Sequence, residues 1–153
     1  MKIKGYSFEK KGEYYHLDSA LVLEGATNIK LPESLQSIGG SLVLRNAKDI
    51  KLPESLQSIG GSLVLEGATN ITFPDGRTTE NYPIVTNCGQ SNRTIFLTLF
   101  DKDKIQIGCT QYTKEGAMNA INSEYASPSA KEYCDNVREC FAMWETMKAQ
   151  EVI

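Results

Sequence analysis

"KLPESLQSIGGSLVL" stands at residues 30–44 and again, letter for letter, at residues 51–65. Sliding the chain along itself extends this identity to a period of 21 residues: copies at 21–41 and 42–62, and a partial third copy at 63–74. The first two copies agree at 17 of 21 positions and differ only at Glu24/Arg45, Gly25/Asn46, Thr27/Lys48 and Asn28/Asp49. A period of roughly 20 to 50 residues marks an array whose unit cannot bury its apolar face alone and stacks on its neighbours. One step toward the N-terminus, Phe8, Tyr14 and Leu17 fall in register with Ile29, Leu35 and Ile38. "FEKKGEYYHLDSA" therefore reads as a degenerate capping copy, and the array has about four coils.

Within one copy, Leu21, Leu23, Ala26, Ile29, Leu31, Leu35 and Ile38 recur mostly every two or three residues. That spacing favours short strands over a helix. "LVL", "NIKL" and "LQSI" read as the strands. The corners are "EGAT", Pro32 with its fixed φ, and Gly39 with Gly40, where glycine permits φ above zero. Each copy becomes one coil with three short edges, rising about 4.8 Å through parallel pairing. The apolar set points inward, leaving Val22, Glu24, Lys30, Glu33 and Gln36 outside. The aromatic start (Tyr6, Phe8, Tyr14, Tyr15) suits an N-terminal lid. "ITFPDG" puts Phe73 where Leu31 and Leu52 stand, just before the period is lost.

Residues 77–93, "RTTENYPIVTNCGQSNR", are polar and turn-rich and read as a connector with one short strand at Ile84 and Val85. A different pattern follows. "TIFLTLF" alternates Ile95, Leu97 and Leu99 against Thr98 and Phe100, "DKDK" makes a turn, and "IQIGC" supplies a second strand of a hairpin. Thr113 caps a helix running to about Tyr125, with Ala117, Met118, Ile121 and Tyr125 on one side. Ser127 and Pro128 start a second helix, whose apolar stripe is Tyr133, Val137, Cys140, Phe141, Trp144 and Met147. This module is expected to pack on the open C-terminal end of the array.

With 41% apolar and 23% charged residues the chain has the composition of a globular protein. No apolar run approaches the roughly 18 residues of a membrane span, and "MKIKGYSFEKKGEYY" has no apolar stretch of a signal peptide, so a cytoplasmic protein without a membrane partner is expected. A net charge of −3 is too small to predict a nucleic-acid or acidic-membrane partner and decides little, and direct nucleic-acid binding is not expected. Cys88, Cys109, Cys134 and Cys140 are separated by 21, 25 and 6 residues, which matches no common zinc spacing, and reduced, packed thiols are the plainer reading. His16 is the only histidine and occupies the outward position of Ser37 and Ser58, with no nucleophile signature nearby. No cofactor, metal or catalytic residue is expected, and the chain does not read as an enzyme.

What remains is surface. Stacking turns each outward position into a row: Val22, Val43 and Val64; Glu24, Arg45 and Glu66; Lys30, Lys51 and Thr72; Glu33, Glu54 and Asp75. The valine row is either strand propensity or cover by a terminal segment, or else part of a docking face. The positions that vary between copies (Glu24/Arg45, Gly25/Asn46, Thr27/Lys48, Asn28/Asp49) cluster at one corner. A fixed scaffold with one varied edge is how repeat proteins present binding residues. The candidate partner site is therefore Glu24, Arg45, Asn46, Lys48, Asp49 and Glu66 with the three valines. The acidic row Glu33, Glu54 and Asp75 is the alternative, as a mimic of nucleic-acid phosphates.

The repeat "LxxIGGSLxLxxAxxIxLPxS" resembles leucine-rich-repeat-like solenoids. Its "IGGSLVL" is similar to the coil of receptor L domains, which are right-handed β-helices. The match covers about residues 17–74 and departs from ordinary leucine-rich repeats, because Ala26, Ala47 and Ala68 stand where an asparagine ladder would be. The segment "IQIGCTQYTKEGAMNAINSEYASP" resembles the C-terminal module of small repeat proteins of bacteriophages and prophages, in which an "IxxGC" strand precedes a helix beginning at Thr or Ser. The resemblance implies a mainly β fold: a short right-handed β-solenoid of 21-residue coils, then a β-hairpin with two helices. Its parts are a capping coil at 1–20, repeats at 21–76, a connector at 77–93 and the module at 94–153. It also implies an anti-CRISPR-like accessory protein in the bacterial cytoplasm, binding a subunit of a nucleic-acid-dependent host defence complex and blocking it sterically. A homodimer through the valine row or an end coil stays open.

Overall fold

Parallel pairing between residues 21 positions apart organises the first half of the chain. The computed structural model describes residues 2–3, 5–88, 93–107 and 110–151. It is mainly β with two C-terminal helices, and it divides into two compact units, Met1–Asn81 and Tyr82–Ile153.

In the first unit, β1 (Lys2–Ile3) and β2 (Tyr6–Ser7) pair antiparallel, as do β3 (Glu9–Lys11) and β4 (Tyr14–Leu17). The first copy contributes β5 (Leu21–Val22) and β6 (Leu35–Ile38). The second contributes β7 (Leu42–Val43), β8 (Lys48–Lys51) and β9 (Ser58–Ile59), and the third β10 (Leu63–Val64) and β11 (Thr69–Thr72). They assemble into three sheets, ordered β5-β7-β10, β8-β11 and β3-β4-β6-β9. Isolated bridges from Thr27 to Lys48 and from Lys30 to Lys51 join the first copy to the second sheet.

Bonds recur copy by copy: Leu21 N–H donates to Ser41 C=O at 2.8 Å and Leu42 N–H to Ser62 C=O at 2.9 Å. The expected inner set is buried. Leu21, Leu35, Leu42 and Leu44 are fully enclosed, and Ile71 and Phe73 continue the layer in the third copy. Ile29 is half-buried. A leucine removed from water contributes about 1.5–3 kcal/mol, so identical environments select identical residues.

Two local readings are corrected. Gly39, Gly40, Gly60 and Gly61 do not adopt positive φ; they are small because the copies touch there. A Cβ on Gly40 would lie 2.6 Å from the Ala20 nitrogen, and one on Gly60 would meet the Gly39 carbonyl oxygen. The N-terminal "copy" is a hairpin. Gly12, at φ +66, occupies the first position of a two-residue turn between Lys11 and Tyr14, and β4 alone continues the parallel register. A bulge then pairs Tyr15, not Tyr14, with Leu35, leaving Tyr14 exposed. Leu17 pairs with Ile38 at the expected offset. At the other end a Pro74–Gly76 turn sends the chain back, and Thr78 pairs antiparallel with Thr72 along β11. Such a return strand covers an edge that is otherwise open to pairing.

The second unit is an antiparallel sheet of β12 (Ile84–Cys88), β13 (Arg93–Leu97), β14 (Lys104–Ile107) and β15 (Thr110–Thr113), in that order. α1 (Lys114–Glu124) packs on β14 and β15, and α2 (Ser129–Glu151) packs on β12, β13 and α1. The expected hairpin is β13–β14, the centre of a four-stranded sheet. The supposed connector at 77–93 is not a free segment: residues 77–81 finish the first unit, and Ile84–Cys88 is a paired strand of the second. The short strand expected at Ile84 and Val85 is present and longer, reaching Cys88, and it pairs antiparallel with the next strand, β13. Thr113 caps α1, accepting from Gly116 N–H at 3.1 Å, as expected. α2 begins at Ser129, beyond the expected Ser127–Pro128 start. Its stripe is buried at Tyr133, Val137 and Cys140, while Phe141, Trp144 and Met147 are half-exposed.

Candidate interaction surface

Alternation along "LVLE" sends Leu21 and Leu23 inward and Val22 and Glu24 outward. The parallel register then aligns Val22 with Val43 and Val43 with Val64. Val22 is 45% exposed, one of three large apolar side chains so exposed among the described residues; Val43 and Val64 are half-buried. The next outward row is Glu24, Arg45 and Glu66. Arg45 Nη1 stands 4.0 Å from Glu24 Oε1, with both side chains about half exposed. A pair so long and solvated contributes little to stability.

The varied corner separates into two kinds of position. Gly25, Asn46 and Gly67 have φ of +70, +57 and +70. Each is the third residue of a turn closed by a bond such as Ala47 N–H to Leu44 C=O at 2.9 Å. Asn28, Asp49 and Asn70 form a second left-handed column, at +56, +57 and +50. Only Gly, Asn and Asp enter this region readily. The differences at Asn46 and Asp49 therefore lie within what the backbone tolerates. Asp49 Oδ1 moreover accepts from Asn70 Nδ2 at 2.5 Å, so the asparagine-type ladder runs two positions beyond the alanines. Arg45 and Lys48 remain as varied positions with ordinary backbone, and both are exposed.

The acidic row is largely neutralised. Lys30 Nζ lies 3.1 Å from Glu33 Oε1, and Arg77 Nη1 lies 2.8 Å from Asp75 Oδ2. Asp75 also accepts from the Arg77 backbone N–H, which commits it to the closing turn. Glu54 shares a shallow groove with Lys30 and Lys51. This alternation of sign does not reproduce a run of phosphates.

Comparison of the chain with protein-family models, with curated proteins and with solved structures gives no match.

His16 and Ser37, adjacent in register, share a 2.6 Å hydrogen bond through His16 Nδ1. Glu9 is the cross-strand neighbour of His16 on the other side. Parallel stacking supplies this hydroxyl, which the linear sequence did not. Gln36 and Gln57 are linked in the same way across 21 residues, so the His16–Ser37 bond belongs to a set of ties between copies.

Cys88, Cys134 and Cys140 are free and buried; Cys109 lies outside the described residues. Burial pushes the Cys88 thiol up to about 11 and the Cys140 thiol up to about 12, and raises Cys134 as well. Cys140 Sγ donates to the Pro83 carbonyl at 3.2 Å. Thiols held protonated in this way are poor nucleophiles and poor metal ligands. Among the described residues no group of three His, Cys, Asp or Glu side chains is placed to hold a metal ion, and no helix is long and apolar enough to cross a membrane.

Proposed function

We propose that this chain is a non-enzymatic protein-binding module whose residues 21–76 form a short right-handed β-solenoid. Its docking face is the outward surface of the β5-β7-β10 sheet. The observation that carries the reading is the registered row Val22, Val43 and Val64, with Val22 45% exposed beside the charged row Glu24, Arg45 and Glu66. A rigid, β-branched strip flanked by charge of alternating sign suits a protein surface with an apolar centre and a polar rim. The varied edge contributes through Arg45 and Lys48, while Asn46 and Asp49 serve the backbone. From the resemblance of the second half to phage and prophage modules, the partner is a subunit of a bacterial nucleic-acid-dependent defence complex. The chain blocks it by occupying its surface.

The test is inhibition of target cleavage by a reconstituted bacterial defence nuclease, with the wild-type chain compared to two double variants. Val22→Thr with Val43→Thr keeps strand propensity and volume, and Arg45→Ala with Lys48→Ala removes the two cations. Each is expected to weaken inhibition at least about tenfold, a loss of about 1.4 kcal/mol of binding, with an unchanged melting curve. Undiminished inhibition by the valine variant overturns the choice of face. Inhibition that collapses with added salt and is relieved by competing DNA points instead to mimicry through Glu33, Glu54 and Asp75.

A further inference from the structure

The second unit contains a cleft unrelated to the valine face. It encloses roughly 170 Å³ between the sheet and the helices, about what a single small ring or branched aliphatic group fills. Ile107, Ala117, Ala120 and Ile121 give it an apolar lining. Ala120, half-buried, leaves room that a leucine at the same position on α1 would occupy, while Ala117 is fully buried. Its polar members are Arg93, at the start of β13, Glu124, at the end of α1, Thr110, and the tyrosines Tyr112, Tyr125 and Tyr133. Tyr125 and Tyr133 hold their rings 5.8 Å apart, tilted by 41°.

Arg93 and Glu124 line the same small cleft, yet among the described residues neither has an ion-pair partner. Both charges reach the Tyr133 hydroxyl: Arg93 lowers its pKa and Glu124 raises it, while burial dominates and pushes it up to about 12. Tyr133 is thus a neutral hydrogen-bond donor at pH 7, standing within the field of one cation and one anion. A guanidinium selects carboxylates because its planar donors match the two oxygens. Glu124 repels a simple anion, and Arg93 repels a simple cation. A molecule carrying both charges, with an apolar body, offers a partner to Arg93, to Glu124 and to the apolar lining at once.

We propose that this cleft binds a small apolar α-amino acid, of valine or leucine size, with its carboxylate on Arg93, its ammonium on Glu124 and its side chain over Ile107 and Ala120. The assignment is independent of the protein-binding face on the first unit.

Isothermal titration of the full chain tests it with L-leucine, with 4-methylpentanoate, which lacks the ammonium, and with isoamylamine, which lacks the carboxylate. Leucine is expected to bind saturably, and both analogues at least about tenfold more weakly. Arg93→Met is expected to reduce leucine binding by about the same factor. Ala120→Leu, a good helix former that fills the cleft and leaves both charged residues in the sequence, is expected to abolish binding while unfolding remains cooperative. No saturable heat with leucine or valine up to about 10 mM overturns the proposal. So does binding unaltered in both variants, or 4-methylpentanoate binding as tightly as leucine.

Discussion

At the scale of single residues, the backbone dictates several choices that look free in the sequence. Asp49 sits at φ +57 and holds Asn70 through its carboxylate. Asp49→Asn is expected to leave stability within about 0.5 kcal/mol of wild type. Asp49→Val is expected to cost about 1–2 kcal/mol, because a β-branched residue is strained in the left-handed region; urea unfolding of both variants checks the difference. The buried thiols set a pH dependence. Cys88 and Cys140 bind their protons more tightly in the folded state, at about 11 and about 12, than an ordinary thiol at 9.0. The folded state therefore holds more protons than the unfolded state above pH 9. Their stabilising contribution is complete below about pH 9 and is lost as pH rises through 11 to 12. Melting temperature is expected to be flat from neutral pH to about 8.5 and to fall above 9. A Cys88→Ala, Cys140→Ala variant should show a shallower alkaline fall.

Among the elements, the contrast between strand interiors and corners explains what could be read from the sequence. The inward set was legible because Leu21, Leu23, Leu35 and Ile38 repeat at fixed places and all are buried. The role of Gly39 and Gly60 was not, because close approach of two backbones is a property of stacking. Gly60→Ala would press a Cβ onto the Gly39 carbonyl. Overpacking of this kind typically costs 1–3 kcal/mol, and backbone leaves little room to yield, so a loss of about 3 kcal/mol is expected in urea unfolding. The left-handed columns could have been read, since Gly25/Asn46/Gly67 and Asn28/Asp49/Asn70 use only residues that tolerate positive φ. In the second unit, β15 went unseen because "TQYT" has no alternation, and its only signal is pairing with Lys104–Ile107.

For the whole molecule, a constant 21-residue offset makes a strong prediction. Each interior copy meets the same neighbours: Leu42 pairs with both Leu21 and Leu63, and Val43 with both Val22 and Val64. Deleting residues 42–62 would join Ser41 to Leu63 and renew the same pairings one copy shorter. The shortened chain is expected to unfold cooperatively at a lower temperature, whereas deleting 42–63 would turn the following side chains to the wrong face and abolish the transition. Circular dichroism melts of the two deletions distinguish these outcomes. The expected N-terminal coil became a hairpin for a reason on the same scale, since Gly12 allows a reversal tighter than one full copy.

The period, the strands of each copy, the buried leucines and isoleucines, the valine row and the cap at Thr113 all follow from the sequence by itself, because each depends on spacing or local backbone chemistry. Only the tertiary structure decided that Asn46 and Asp49 take left-handed turn positions, that Arg77 offsets Asp75, and that His16 meets Ser37. It alone gathered Arg93, Glu124 and Tyr133 around one cleft. These residues lie far apart in the chain or depend on backbone angles, and apolar periodicity carries no information about which polar side chains will meet once the apolar ones are buried.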